Sequence, residues 1–364
     1  MPSMDLDLLL PALTALLAGL FAVALADQWL RRRRAYQLVW AIGMGFFALA
    51  AGAEALAAAF GWNELLYRTW YMTGAVWTAG WLGLGTAFLL GRTRFGYTFA
   101  LCLFLAGLFM FLAARRLPPG EVGDLPLLYF ITAVVLAFAV AVETYFQNER
   151  WPYMAAAAVV GATVISVVVL LGTVLPAPGF AVDPATGFPT AAIIPASLRL
   201  LTPFLNITGG LALILGAVFS AYVFMPKRRV LDYSLDPAQP GDEFLFNLFI
   251  APVAIAVNFA VSLPGAVVAL LRGRIHTRVP ATLLIALGAL VASSTDTLNR
   301  FGSTELFQIG KFVGVVLLFL GFLVSIEIFR EIRVPFTGIV LRGGRREHPA
   351  AADPSTASAG GTGS

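Results

Sequence analysis

Leu8–Trp29 reads LLLPALTALLAGLFAVALADQW, is followed at once by Arg31–Arg34, and leads into Tyr36–Phe60, YQLVWAIGMGFFALAAGAEALAAAF. Both runs exceed the roughly 20 helical residues that cross a hydrocarbon core about 30 Å thick. A bilayer offers no water to unpaired backbone groups, so runs of this kind must be helical. The same pattern continues outward along the chain, in Trp70–Leu90, Gly96–Ala114, Leu127–Gln147, Tyr153–Leu175, Leu200–Met225, Phe244–Leu271, Val279–Thr295 and Leu306–Ile328. These ten segments fill most of the 364 residues and leave only loops and a tail. No stretch remains that could fold as a soluble catalytic domain.

Composition points the same way. Hydrophobic residues make up 59% and charged residues 12%, against about 25% charged in a soluble domain. The net charge of +4 does not mark a nucleic-acid partner, because the bases sit in short clusters between apolar segments. The two lysines, Lys227 and Lys311, stand among many arginines and alanines, the usage of a GC-rich bacterial genome. One cysteine, Cys102, lies within an apolar segment, so no intramolecular disulfide can form. Ala24-Leu25-Ala26 resembles a signal-peptidase site. The residues before that run are acidic, and Arg31–Arg34 would resist export, so the segment reads as an uncleaved first helix with its N-terminus outside.

Lys and Arg in short loops stay cytoplasmic, which orients the remainder. With Arg31–Arg34 inside, alternation places Arg92, Arg94, Arg150 and Lys227-Arg228-Arg229 inside too. If Phe244–Leu271 crosses, the 24 bases divide 12 and 12; if it enters and leaves on one side, 18 of 24 lie inside. That segment is 28 residues long and contains Pro252 and Pro264-Gly265. Proline removes a backbone donor and kinks or breaks a helix, which suits a re-entrant hairpin; an interfacial helix is the alternative. Asn247, Ala251, Ala254, Asn258 and Ser262 form a small, polar stripe compatible with both.

The sequence thus predicts an all-α, polytopic transmembrane helical bundle of about nine crossings plus one re-entrant or interfacial apolar element, in the bacterial cytoplasmic (inner) membrane. Residues 1–225 are expected to form a seven-helix bundle. Residues 226–333 would supply a cytoplasmic loop, the non-crossing element and two further transmembrane helices. Residues 334–364 form a cytoplasmic tail, disordered from about residue 349 by its Ala/Ser/Gly/Thr composition.

Within the third segment, Ala75, Ala79, Gly83 and Ala87 form a ridge of small residues, and Thr208, Ala212, Gly216 and Ser220 repeat it in the seventh. Such ridges let helices approach closely. Trp77 and Trp81 fall on the other side of the third segment, Trp81 about 16 Å from the outer end at 1.5 Å per residue. They are candidates for the wall of an apolar pocket, or plain core filler.

Ionisable groups inside a span are costly and mark pairs or functional sites. Glu54 lies roughly 9 Å from the outer end of the second segment, and Lys311 roughly 8 Å into the last one. Equal depth makes the two a candidate pair, structural or functional. Asp296, Arg300 and Glu305 cap the same outer side. Toward the cytoplasm, Glu143 and Glu327, with Arg330 and Glu331, lie within snorkelling reach of water.

Only His276 and His348 occur, in a loop and the tail, so no histidine metal or haem site within the membrane is expected. The sequence also lacks HExxH, GxxxxGK[ST], GxSxG and a strand-to-helix GxGxxG. No catalytic residues, cofactor or nucleic-acid partner are therefore expected. The expected partners are membrane lipids and a protein at the cytoplasmic face that would carry any signalling output.

Ala48-Leu49-Ala50-Ala51-Gly52-Ala53-Glu54, Gly61-Trp62-Asn63, Tyr71-Met72-Thr73-Gly74-Ala75 and Gly80-Trp81-Leu82-Gly83-Leu84-Gly85-Thr86 resemble uncharacterised polytopic proteins of GC-rich bacteria. More distantly, these stretches resemble the seven-helix membrane regions of bacterial sensor kinases. The resemblance implies a membrane bundle of the kind that precedes an output domain; with no catalytic motif in the chain, the expected function is ligand or lipid sensing, or that of an accessory subunit, without enzymatic activity. A secondary transporter or channel using Glu54 is the competing expectation.

Overall fold

The computed structural model describes residues 6–117, 119–147, 149–184, 187–234, 241–272, 276, 278–300, 304–325, 331–333, 335, 337 and 339–343; the tail expected to be disordered from about residue 349 lies outside them. Ten helices are long and apolar enough to cross a membrane. They are α1 (Leu6–Arg32), α2 (Ala35–Phe60), α3 (Glu64–Leu90), α4 (Phe95–Ala113), α5 (Leu125–Tyr145), α6 (Trp151–Gly172), α7 (Ala196–Phe224), α8 (Gly241–Leu271), α9 (Arg278–Arg300) and α10 (Thr304–Val324). An antiparallel hairpin of β1 (Glu331–Arg333) and β2 (Val340–Gly343) follows. The chain is an all-α, multi-span membrane protein, and its exposed Leu, Val and Phe side chains are the surface that meets lipid.

From α1 to α7 the chain passes back and forth through the bundle, so Arg31–Arg34, Arg92, Arg94, Arg150 and Lys227–Arg229 collect at one end, called here the basic end. The far end carries the turn before Glu64, the loop of residues 173–195 and the entry to α10. One core joins α1, α2, α3, α7, α9 and α10 through Phe21, Trp40, Met44, Leu213, Ile285 and Phe322. The last two helices therefore pack into the same bundle as the first seven.

Small residues set the closest crossings. A Cβ on Gly83 would fall 2.5 Å from the Cα of Gly209, and a Cβ on Gly209 would fall 2.0 Å from the carbonyl oxygen of Ala79. The ridges of α3 and α7 are therefore packed against each other. Gly310, Gly314 and Gly321 of α10 meet Thr295, Ala292 and Ala281 of α9 in the same way.

Residues 241–271 form one continuous helix of 31 residues that passes through Pro252 and Pro264. Of the two forms expected for this segment, the hairpin does not occur. The small, polar stripe on α8 is buried, with Ala254 and Asn258 fully enclosed. What covers it is the chain leaving α7. Asn258 Oδ1 accepts from the backbone N–H groups of Val230 (2.8 Å) and Leu231 (3.0 Å), and its Nδ2 donates to Leu231 O (2.7 Å). Ser262 Oγ accepts from Arg228 N (2.9 Å), and Asn247 Oδ1 from Ser234 N (3.3 Å). A side-chain stripe thus replaces the missing strand partner of an extended segment.

The course of α8 follows from its neighbours. Gly210 of α7 lies opposite Ser293 of α9, while Ser220 and Thr282 share one cleft, so α7 and α9 are antiparallel and the end of α7 is level with the start of α9. The connection between them, residues 225–277, therefore leaves and returns to the same end of the bundle. Its C-terminal half packs on Tyr222 and Met225 of the α7 end and on Val279 of α9.

Candidate functional site

The far end of α2 reads Ala50-Ala51-Gly52-Ala53-Glu54. Ala50, Ala51, Ala53 and Ala57 are buried, which turns Glu54 into the bundle; Ala58 faces out. With its side chain 4% exposed, Glu54 needs partners. Lys311 of α10 supplies the charge, its Nζ donating to Oε1 and Oε2 at 2.7 Å each. Gln308, one turn earlier, donates through Nε2 to Oε2 (3.1 Å), and Trp70 of α3 donates through Nε1 to Oε1 (2.9 Å). Four donor contacts and one cation leave the carboxylate neutralised and saturated. Lys311 also stands 4.8 Å over the ring of Phe307, a cation–π contact.

The site is roofed. Phe188, in the loop that carries the Val182–Pro189 bridge, packs edge-on against Phe307 at 5.1 Å. The Tyr67 hydroxyl donates to Thr190 O and ties the same loop to α3. Gly179 sits at φ +88°, a conformation a side chain disfavours, where a Cβ would meet that of Glu64 at 2.9 Å. Arg68 donates to Leu170 O and, at 2.7 Å, to Thr173 O, which satisfies carbonyls at the end of α6.

Between these groups α3 changes its winding. Tyr71–Trp77 is π-helical, with the Thr78 N–H bonded to Thr73 O and the Thr78 hydroxyl donating to the same oxygen (2.7 Å). The wider turn spreads the aromatic side chains over several elements. Trp70 reaches α2, and the Tyr71 hydroxyl bonds Thr202 of α7 at 2.8 Å. Trp77 and Trp81 donate to Ser166 (2.8 Å) and Thr163 (3.1 Å) of α6. Both rings pack on Phe46, at 4.8 and 5.8 Å. Here they fill core and anchor α6. The nearby cleft between α3, α4, α6 and α7 is lined by Gly80, Leu84, Phe99 and Phe204, not by these tryptophans.

The other charged candidates are placed apart. Glu143 lies near the basic end of α5, its Oε2 buried without a protein hydrogen-bond partner. Asp296 and Arg300 sit in the last turns of α9, their side chains outside the described residues, as is that of Glu305 in α10. Glu327 is itself outside the described residues. Among the described residues no three His, Cys, Asp or Glu side chains group as metal ligands would.

Gln308 and Trp70 are the partners that the sequence did not reveal. A Gln one turn before a buried Lys was a usable signal; nothing in the sequence pointed Trp70 at Glu54, sixteen residues earlier across a turn. Gln308 Oε1 and Thr14 Oγ1, both in nearly enclosed residues, have no protein hydrogen-bond partner. No protein family, curated protein or solved structure matches this chain.

Proposed function

We propose that this chain is a bacterial inner-membrane protein that senses a ligand or lipid, or serves as an accessory subunit, with no catalysis of its own. In this reading its N-terminus is outside and its C-terminus cytoplasmic, since that puts 18 of 24 bases inside. A protein partner at the cytoplasmic face would carry the output, in keeping with the resemblance to sensor-kinase membrane regions.

The observation that carries the proposal is the junction at Glu54. One carboxylate joins α2, α3 and α10, and the π-turn beside it extends the link to α6, α7 and the outer loop. Below it Met44, Leu82, Val315, Leu318 and Phe322 belong to one apolar core that separates the junction from the basic end. An arrangement of this kind holds helices in a defined relation and responds to whatever displaces its parts.

The competing reading is a secondary transporter or channel in which Glu54 carries the proton. The buried, unpaired Gln308 Oε1 and Thr14 Oγ1 favour it, because polar groups of that kind bind transient water. Glu54→Gln in proteoliposomes separates the two. For the sensor, the variant melts lower than the parent and no pH-driven flux is present in either. A flux in the parent that vanishes in a variant of unchanged melting temperature would establish transport instead.

A further inference from the structure

The four arginines after α1 do not act alike. Arg31 pairs with Asp27 through Nε at 3.0 Å, and Arg33 lies 4.9 Å over the ring of Trp29. Arg32 and Arg34 instead flank Tyr36 in sequence, and their charges and that of Arg278, at the start of α9, act on its hydroxyl. Three guanidiniums from two places in the chain, the α1–α2 turn and the start of α9, thus act on one phenol at the basic end. Arg278 is held in position by stacking 4.2 Å over Phe224.

Tyr36 packs edge-on against Trp40 at 5.3 Å, and Trp40 forms one wall of a cleft between α2, α3, α7, α9 and α10. Arg278 lines that cleft too, beside the hydroxyls of Ser220, Thr282 and Ser325, over a floor that includes Leu213 and Ile285. Its free volume of about 40 Å³ is roughly three times what one water requires. That suits a single phosphate group. Guanidinium forks match phosphate oxygens in pairs, and basic pockets between membrane helices recognise anionic head groups. The exposed apolar flanks of the neighbouring helices, Val223 and Leu287 among them, give acyl chains a surface.

We infer that this cleft binds the phosphate of an anionic phospholipid. The site is on the opposite end of the bundle from Glu54, about 21 Å away along α10 from Lys311 to Ser325. It deepens the lipid-sensing reading and rests on that reading for its biological sense, but its geometry is independent of Glu54. Inorganic phosphate shares the recognised chemistry, so the test must tell the two apart.

The full chain in a neutral detergent is titrated with phosphatidylglycerol, with phosphatidylcholine, or with inorganic phosphate, and its melting temperature is followed. Phosphatidylglycerol should raise the melting temperature by a few degrees, as a ligand of the folded state does, and should be retained in native mass spectra. Arg278→Gln should remove that rise and Arg34→Gln, outside the cleft lining, should weaken it, whereas Arg150→Gln, exposed in another loop of the same end, should keep it. Thr282→Val, which alters only a lining hydroxyl, should weaken the rise and serves if Arg278→Gln does not fold. Equal shifts from the two lipids overturn the inference, as does an undiminished rise in both arginine variants or a rise that inorganic phosphate reproduces in full. All these variants retain Glu54, so their failure leaves the test of the sensor reading untouched.

Discussion

Glu54 is enclosed by donors, and the cost of disturbing it depends on which partner is removed. Breaking a buried pair strands a charge at about 3–5 kcal/mol, whereas replacing both members by neutral groups is often tolerated. Lys311→Met should therefore lower the melting temperature far more than Leu49→Ala, a change on the lipid-facing side of α2. The double variant Glu54→Gln, Lys311→Met should recover much of the loss. A double variant as unstable as the sum of its parts would show that the pair is not the unit of stability. Gly209 offers a second residue-scale test. The Cβ of Gly209→Ala would fall on a backbone oxygen of α3, and overpacking of this kind costs about 1–3 kcal/mol. Gly161→Ala, with open space around it in α6, should instead be neutral or stabilising by up to about 1 kcal/mol. Thermal melts of the two alanine variants check the ordering.

At the scale of elements, α8 and the segment 228–234 make one unit. Asn258 satisfies three backbone groups of Val230 and Leu231 in partly buried hydrogen bonds, each worth about 0.5–1.5 kcal/mol. Asn258→Leu should free the segment and speed tryptic cleavage after Lys227, Arg228 or Arg229. Val253→Ala, on the exposed side of the same helix, should not. Cleavage at parental rate in Asn258→Leu would mean that other contacts hold the segment. The polar stripe on α8 was legible as a pattern, but not what it binds. Neither proline interrupts the helix, and between Asn247 and Ser262 the segment 228–234 packs along one face of it. The π-turn of α3 was equally hidden. Trp77 and Trp81 both reach α6, whereas Trp70, on the other side of the wider turn at Tyr71–Trp77, reaches α2.

For the molecule as a whole, the antiparallel packing of α7 on α9 fixes which loops share a side. Cysteines introduced at Glu149 and His276 should react with an impermeant maleimide from one face of the membrane, and one at Ala192 from the other. The native Cys102 is buried and should not interfere. Labelling of His276→Cys together with Ala192→Cys would require α8 to cross. The fold class was readable from the chain because bilayer thickness and backbone hydrogen bonding act on each segment separately: a run of twenty apolar residues must be helical in a bilayer, although α8 shows that its course still depends on its neighbours. Depth along a helix is equally local, which is why Glu54 and Lys311 could be matched by counting residues. The angle around each helix axis and the order of helices in the bundle depend on side chains meeting across long separations. Hence it took the tertiary structure to bring Gln308 and Trp70 to Glu54, to fill the core with Trp77 and Trp81, to lay residues 228–234 along α8, and to gather Arg32, Arg34 and Arg278 around Tyr36.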